Sequence, residues 1–140
     1  MIIIIIIIVF IIVLFFSFTL YMSSKKRKIA GLFRQMQMSG QTFIITPEFA
    51  SFRGATHTYG RVKCDGMIGL TADKIIFIPL VGKKIEILLG HIKTVTEEKS
   101  FLGSHRPGMS FLVLHGHEAD IGFFVRDNIK WQNILTGMIK

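Results

Sequence analysis

An unbroken apolar run, MIIIIIIIVFIIVLFFSFTLYM, fills residues 1–22 without one charged side chain. As a helix it would rise about 33 Å at 1.5 Å per residue, against roughly 30 Å of hydrocarbon in a bilayer. Ile is a mediocre helix former in water because its β-branch stiffens χ1. In lipid that matters less, since an unpaired backbone amide would cost several kcal/mol and a helix pairs them all. Tyr21 stands where an interfacial aromatic would hold the end of a span. A cleaved signal peptide needs a basic n-region, a shorter apolar core and a small-residue cleavage site. Only Ser23 and Ser24 approach the last of these. Residues 1–22 are therefore predicted to be a permanent transmembrane helix.

Lys25, Lys26, Arg27 and Lys28 follow the run directly, and no basic side chain precedes it. The positive-inside rule then places the amino terminus outside and everything after residue 24 in the cytoplasm. The single Cys64 agrees, because one cysteine cannot form an intrachain disulfide and a reducing compartment asks for none. The formal net charge of +8 raises nucleic acid as a partner, but its distribution argues against one. Five of the seventeen Lys and Arg (Lys25, Lys26, Arg27, Lys28 and Arg34) fall before residue 41, where there is no acidic residue. The remainder carries twelve basic and nine acidic side chains, a net +3. The basic excess thus lies beside the membrane, where each cation near an anionic leaflet contributes about 1 kcal/mol. Those five are the predicted juxtamembrane contacts to anionic lipid. Nucleic-acid binding would need a basic face with stacking aromatics, and neither is legible.

Residues 23–41 form a basic segment in which Ile29, Leu32, Phe33 and Met36 keep the i, i+3, i+4, i+7 spacing of one helical face. This stripe either lies on the leaflet as an interfacial helix, or docks on the domain, or continues the membrane helix inward. From residue 42 to 140 the chain reads as one small domain of short β-rich runs broken by turns. TFIIT is a strand or strap ended by Pro47, and FRGATHTYG follows as a separate run. The glycines of RVKCDGMIGLT would permit a bend or bulge. IIFIPL reads as an inner strand ending at Pro79. KIEILL alternates, with Ile85, Ile87 and Leu89 on one face, and HIKTVTEEKS continues as an edge. SHRPGM reads as a loop, and SFLVLH with ADIGFFVRD as a hairpin across GHE. A closing helix over 127–139 carries Trp131, Ile134, Leu135 and Met138 on one stripe, with Asp127 or Asn128 as its N-cap.

The segments DGMIGLTADKIIFIP, KKIEILLGHIKTV, MSFLVLHG and ADIGFFV, with the Trp131 helix, resemble the pleckstrin-homology superfold and its GRAM-like branch over residues 52–139. The fold class expected is membrane-anchored and mainly β: an N-terminal transmembrane helix, then a small antiparallel β-sandwich or barrel capped by a C-terminal α-helix. The resemblance implies a module that binds phosphoinositides or other anionic membrane lipids, or recruits a membrane or cytosolic protein partner, and is not an enzyme. A non-catalytic accessory subunit of a membrane complex is the alternative. Many lipid-binding members carry a basic cluster between their first two strands. Here that loop is short, and the nearest cations, Arg53, Arg61 and Lys63, with Lys83 and Lys84 in another turn, are the candidate head-group ligands.

Other constellations carry less. His115 and His117 would share one side of an extended strand, but no spacing rule supplies a third metal ligand, so they read as hairpin polar residues and no metal or cofactor is expected. Glu97 and Glu98 are adjacent and would face opposite sides of a strand, so no acid pair stands in a catalytic frame, and no nucleophile elbow or phosphate-cradling glycine loop is legible. Lys63 would favour a Cys64 thiolate, and Asp65 counters it.

Overall fold

A computed structural model describes residues 1–139. Helix α1 (Ile2–Gln37) is continuous, so the apolar run does not stop as a helix at Met22. No proline or turn sequence interrupts it, and Gly31 faces open space. At 1.5 Å per residue its 36 residues extend about 54 Å. Its side chains are exposed through Ser24, and the 23–41 stripe docks on the domain while continuing the same helix as the apolar run. Met36 is 1% exposed and clusters with Met67 and Ile76, with Ile29, Leu32 and Phe33 packed alongside. The stripe belongs to the domain, which offers it dry apolar partners.

The domain consists of β1 (Ile45–Ala55), β2 (Cys64–Leu70), β3 (Lys74–Pro79), β4 (Ile85–Leu88), β5 (Ile92–Glu98), β6 (Ser100–Phe101), β7 (Ser104–His105), β8 (Phe111–Gly116), β9 (Asp120–Phe124) and helix α2 (Asn128–Met138). Seven strands form one antiparallel sheet in the order β4-β3-β2-β1-β9-β8-β5, with β6 and β7 as a separate hairpin. Long β1 joins the halves, pairing with β2 from Ile45 and with β9 from Ser51. The inner face buries Phe52, Phe77 and Phe123, whose ring centroids lie 5.5–6.0 Å apart. Helix α2 closes that core with Trp131 and Leu135, both 0% exposed. Asp127 caps it, its Oδ1 accepting from the Lys130 amide at 3.0 Å.

Four local expectations are corrected. Pro47 does not end a strand: β1 runs through it, with a register shift between Ile45 and Glu48. A bulge tolerates the missing proline N–H, and it leaves Glu48 accepting from Trp131 Nε1 at 2.8 Å. FRGA therefore continues the same strand instead of opening a new one. Gly66 and Gly69 mark close approach: β2 pairs with β3 without a break, and the β1–β2 register shift opposite Gly69 is taken up by the extra residue on β1. A Cβ on Gly69 would sit 2.8 Å from the Phe43 ring and 3.1 Å from Met36 Cε. Finally, part of SHRPGM is strand: β7 pairs with β6 across Leu102 (φ 48°) and Gly103 (φ 72°). Two left-handed residues make the twisted two-residue turn that hairpins favour, and leucine is an uncommon choice there. This hairpin covers the outer face of β8 and β9, where Phe101 clusters with Phe111, Val113 and Phe124.

Candidate functional site

Strand directions sort the loops to two ends of the domain. The β1–β2 loop (56–63), the β3–β4 turn (80–84) and the β8–β9 turn (117–119) share one end, and the β2–β3 turn (71–73) lies at the other. Helix α1 follows β2 from the first end to the second. Lys25 meets Asp65 near the start of the strand and Met36 meets Gly69 near its finish. Between those contacts the helix advances about 16 Å and the strand about 13 Å. The apolar run therefore leaves the domain at the end that carries the 56–63 and 80–84 loops.

An ion pair fixes this arrangement. Lys25 Nζ donates to Asp65 Oδ2 at 2.9 Å, and Ser51, opposite Asp65 across β1–β2, donates to its Oδ1 at 2.6 Å. Burial opposes ionisation of Asp65, yet the hydrogen bonds from Ser51 and Lys25 outweigh it and hold the carboxyl below its usual range. The same hydrogen bond, with the charge of Asp65, raises Lys25. One of the five predicted juxtamembrane cations is thus tied to the domain, while Lys26, Arg27, Lys28 and Arg34 are exposed.

Between the β1–β2 loop and the β3–β4 turn lies a cleft of about 630 Å³, walled by Tyr59, Val62, Cys64 and Val81 with Lys83, Lys84 and Glu86 at its side. Lys84 Nζ lies 2.6 Å from Glu86 Oε1 and Lys74 Nζ 3.2 Å from Oε2, and hydrogen bonds from Lys84 and Lys74 lower the Glu86 carboxyl. Lys83 has no ion-pair partner among the described residues. Burial, and then the charge of Asp65, raises the Cys64 thiol, which keeps it protonated and a poor nucleophile at neutral pH. Tyr59 is raised by burial and by Glu118.

The five candidate head-group ligands do not form one cluster. Lys83 and Lys84 reach the cleft together. Arg61 and Lys63 are exposed on the neighbouring loop, and Lys63 donates to Ser104 of the β6–β7 hairpin. Arg53 lies elsewhere: its guanidinium stands 4.9 Å from the Phe124 ring centroid on the outer face, where Arg106 also approaches. The sequence reading missed Val62 and Val81, 81% and 80% exposed. Val62 stands alone among polar loop residues and Val81 follows Leu80 in the β3–β4 turn, and only the fold shows that both border one cleft.

The two histidines part company. His115 Nε2 contacts Thr96 Oγ1 at 2.8 Å and Glu98 Oε1 at 3.1 Å, and its Nδ1 lies 3.1 Å from Asp120 Oδ1. His117, beyond the end of β8, is exposed. Among the described residues no group of three or more His, Cys, Asp or Glu side chains is disposed to hold a metal.

Behind a long apolar N-terminal helix, the seven-stranded antiparallel sheet and its capping C-terminal helix are consistent with a pleckstrin-homology-like fold. No family model matches the sequence, and no curated protein does so at significant similarity. Among solved structures, the crystal structure of the C-terminal domain of an unknown protein from Leishmania infantum aligns with a TM-score of 0.55 at 18% identity, over 80% of this chain and 99% of that one. The N-terminal PH domain of Vps36 aligns with a TM-score of 0.45 at 17% identity, over 66% of this chain and 79% of that one. The fold assignment rests on the element order and the capping helix.

Proposed function

We propose that this chain is a single-pass, membrane-anchored, non-catalytic module of the GRAM-like kind, whose cleft beside Lys83 and Lys84 takes anionic lipid head groups. Helix α1 would span the bilayer as far as Met22, with the amino terminus outside and the domain on the cytoplasmic leaflet beside Lys26, Arg27 and Lys28. Helix α1 is long and apolar enough to cross a membrane. The observation that carries the reading is the shared end: the helix leaves its apolar run where the cleft and the exposed Val62 and Val81 lie. Tethering raises the local concentration of such a module, so even a weak head-group site would be occupied. With Lys84 engaged by Glu86, Lys83 is the leading phosphate donor and Arg61 and Lys63 are its neighbours.

The test is titration of the full chain, held in phosphatidylcholine nanodiscs, with soluble inositol phosphates and glycerophosphoserine at low and physiological salt. Head-group-selective binding that survives physiological salt, and is lost in Lys83→Gln/Lys84→Gln, is expected. Absence of binding, or equal loss for every ligand as salt rises, would overturn the lipid reading. The protein-docking alternative is favoured by a different observation. A groove of about 610 Å³ between α1 and β1 is lined by Ile29, Phe49, Met67 and Met109, with Arg106 and Arg126 beside them. A stoichiometric partner copurifying in mild detergent, and lost on Phe49→Asp, would support that second role.

A further inference from the structure

A second cavity, of about 370 Å³, lies where α1 emerges from its apolar run, between the helix and the β3–β4 turn. Tyr21, Ser24 and Lys28 come from the helix, and Leu80 and Val81 from the turn, with Cys64 at its base. We infer that this crevice holds an anionic glycerophospholipid of the surrounding bilayer, its phosphate on Lys28 and Ser24 and its acyl chains running down the α1 flank. The inference rests on the anchored reading proposed above; the crevice shares Cys64 and Val81 with the neighbouring cleft but takes no donor from Lys83 or Lys84.

Three features select that occupant. The crevice begins at Tyr21, in the last turn of the uncharged run, so a lipid entering it keeps its chains in hydrocarbon while its head group reaches the domain. Its donors suit a phosphate. Lys28 has no ion-pair partner among the described residues, and Ser24 and Tyr21 supply hydroxyls. The negative charge on its wall is already answered, since Asp65 is bound by Lys25 and Ser51, leaving Lys28 as the excess charge. Leu80, Val81 and Cys64 give the glycerol and upper acyl region an apolar wall. Both walls belong to one body, because the Lys25–Asp65 bridge and the Met36 cluster hold the helix on β2.

The experiment is native mass spectrometry of the full chain released from phosphatidylcholine nanodiscs containing a minority of phosphatidylserine. The wild type is expected to retain phosphatidylserine one to one, well above its share of the bilayer. Lys28→Gln, and separately Ser24→Ala, should each lower that retention, the former by about tenfold, as loss of one charge-assisted hydrogen bond does. Lys26→Gln makes the same charge change at an exposed position outside the crevice and should leave retention unchanged, as should Lys83→Gln/Lys84→Gln. Inorganic phosphate at matched ionic strength should not displace the lipid. Equal losses in Lys26→Gln and Lys28→Gln would overturn the inference in favour of diffuse charge attraction, and displacement by phosphate would overturn it in favour of a soluble ligand. A chain that resists carbonate extraction yet shows no phosphatidylserine enrichment would overturn the crevice alone. A chain that carbonate extracts would overturn the anchored reading with it. Trp131 emission checks that each variant is folded.

Discussion

Trp131 is the only tryptophan in the chain, fully buried against the inner face of the sheet and hydrogen-bonded to Glu48. Truncating such a residue removes apolar contact and leaves a cavity, so Trp131→Ala should cost about 3–5 kcal/mol. Trp131→Phe keeps most of the packing but strands the Glu48 carboxylate, and should cost about 1–3 kcal/mol. Urea unfolding of the full chain in detergent, followed by circular dichroism, orders the two. At Asp65 the expectation concerns pH. Its depressed carboxyl contributes stability that is whole above the ordinary value of 3.8 and is lost as pH falls through the lowered value. The raised Lys25 contributes below its ordinary 10.5 and loses that contribution as pH climbs through the raised value. The bridge is therefore intact across the neutral range. Because both side chains are part-exposed, Asp65→Asn should cost about 1 kcal/mol or less. Its melting temperature should converge on the wild type as both are taken below pH 3.8, and curves that stay parallel would remove Asp65 as the group responsible.

Among the elements, the docked half of α1 depends on one missing side chain. Phe43 and Met36 lie over Gly69 so closely that any Cβ there must displace them. Gly69→Val should therefore loosen residues 25–37 from the domain at a cost of about 1–3 kcal/mol, while the inward-facing Ile68 and Leu70 keep β2 in place. Limited trypsin digestion should then cut after Lys28 or Arg34 roughly thirtyfold faster than in the wild type, the factor matching the middle of that range. An unchanged rate would mean that Gly69 is not what lets the helix seat. The stripe at Ile29, Leu32, Phe33 and Met36 was legible in the sequence because helical periodicity is a local signal. Its partner was not, because Met67 and Ile76 become neighbours of the helix only after β2 and β3 have paired. The β6–β7 hairpin escaped for the opposite reason. Its turn is Leu-Gly, without the Asn-Gly or Asp-Gly signature by which such turns are read. Pro47 misled because a bulge, which one strand's sequence does not reveal, takes up the missing amide.

For the molecule as a whole, the fold class was readable from the sequence. Strand alternation such as Ile85, Ile87 and Leu89, and the capped stripe from Trp131 to Met138, carry the mainly β domain and its closing helix. The site was legible only as an inventory. Arg53, Arg61, Lys63, Lys83 and Lys84 are all cations near turns, and only the fold separates Arg53, stacked on Phe124, from Lys83 and Lys84 in the cleft. Charge in a sequence states how much; convergence is a property of three dimensions. The central claim is that α1 passes unbroken from the bilayer into the domain and thereby turns the 56–63 and 80–84 loops toward the lipid. Spin labels at Val81 and at Ala72, in a Cys64→Ser background and in nanodiscs, test it by their collisions with lipid-soluble oxygen and a water-soluble nickel chelate. Ala72 is exposed in the β2–β3 turn at the far end of the domain. The label at Val81 should favour oxygen, at the depth of the head groups, and that at Ala72 should favour nickel. Equal, water-like ratios at both positions would contradict the account, because the loops would then not face the membrane.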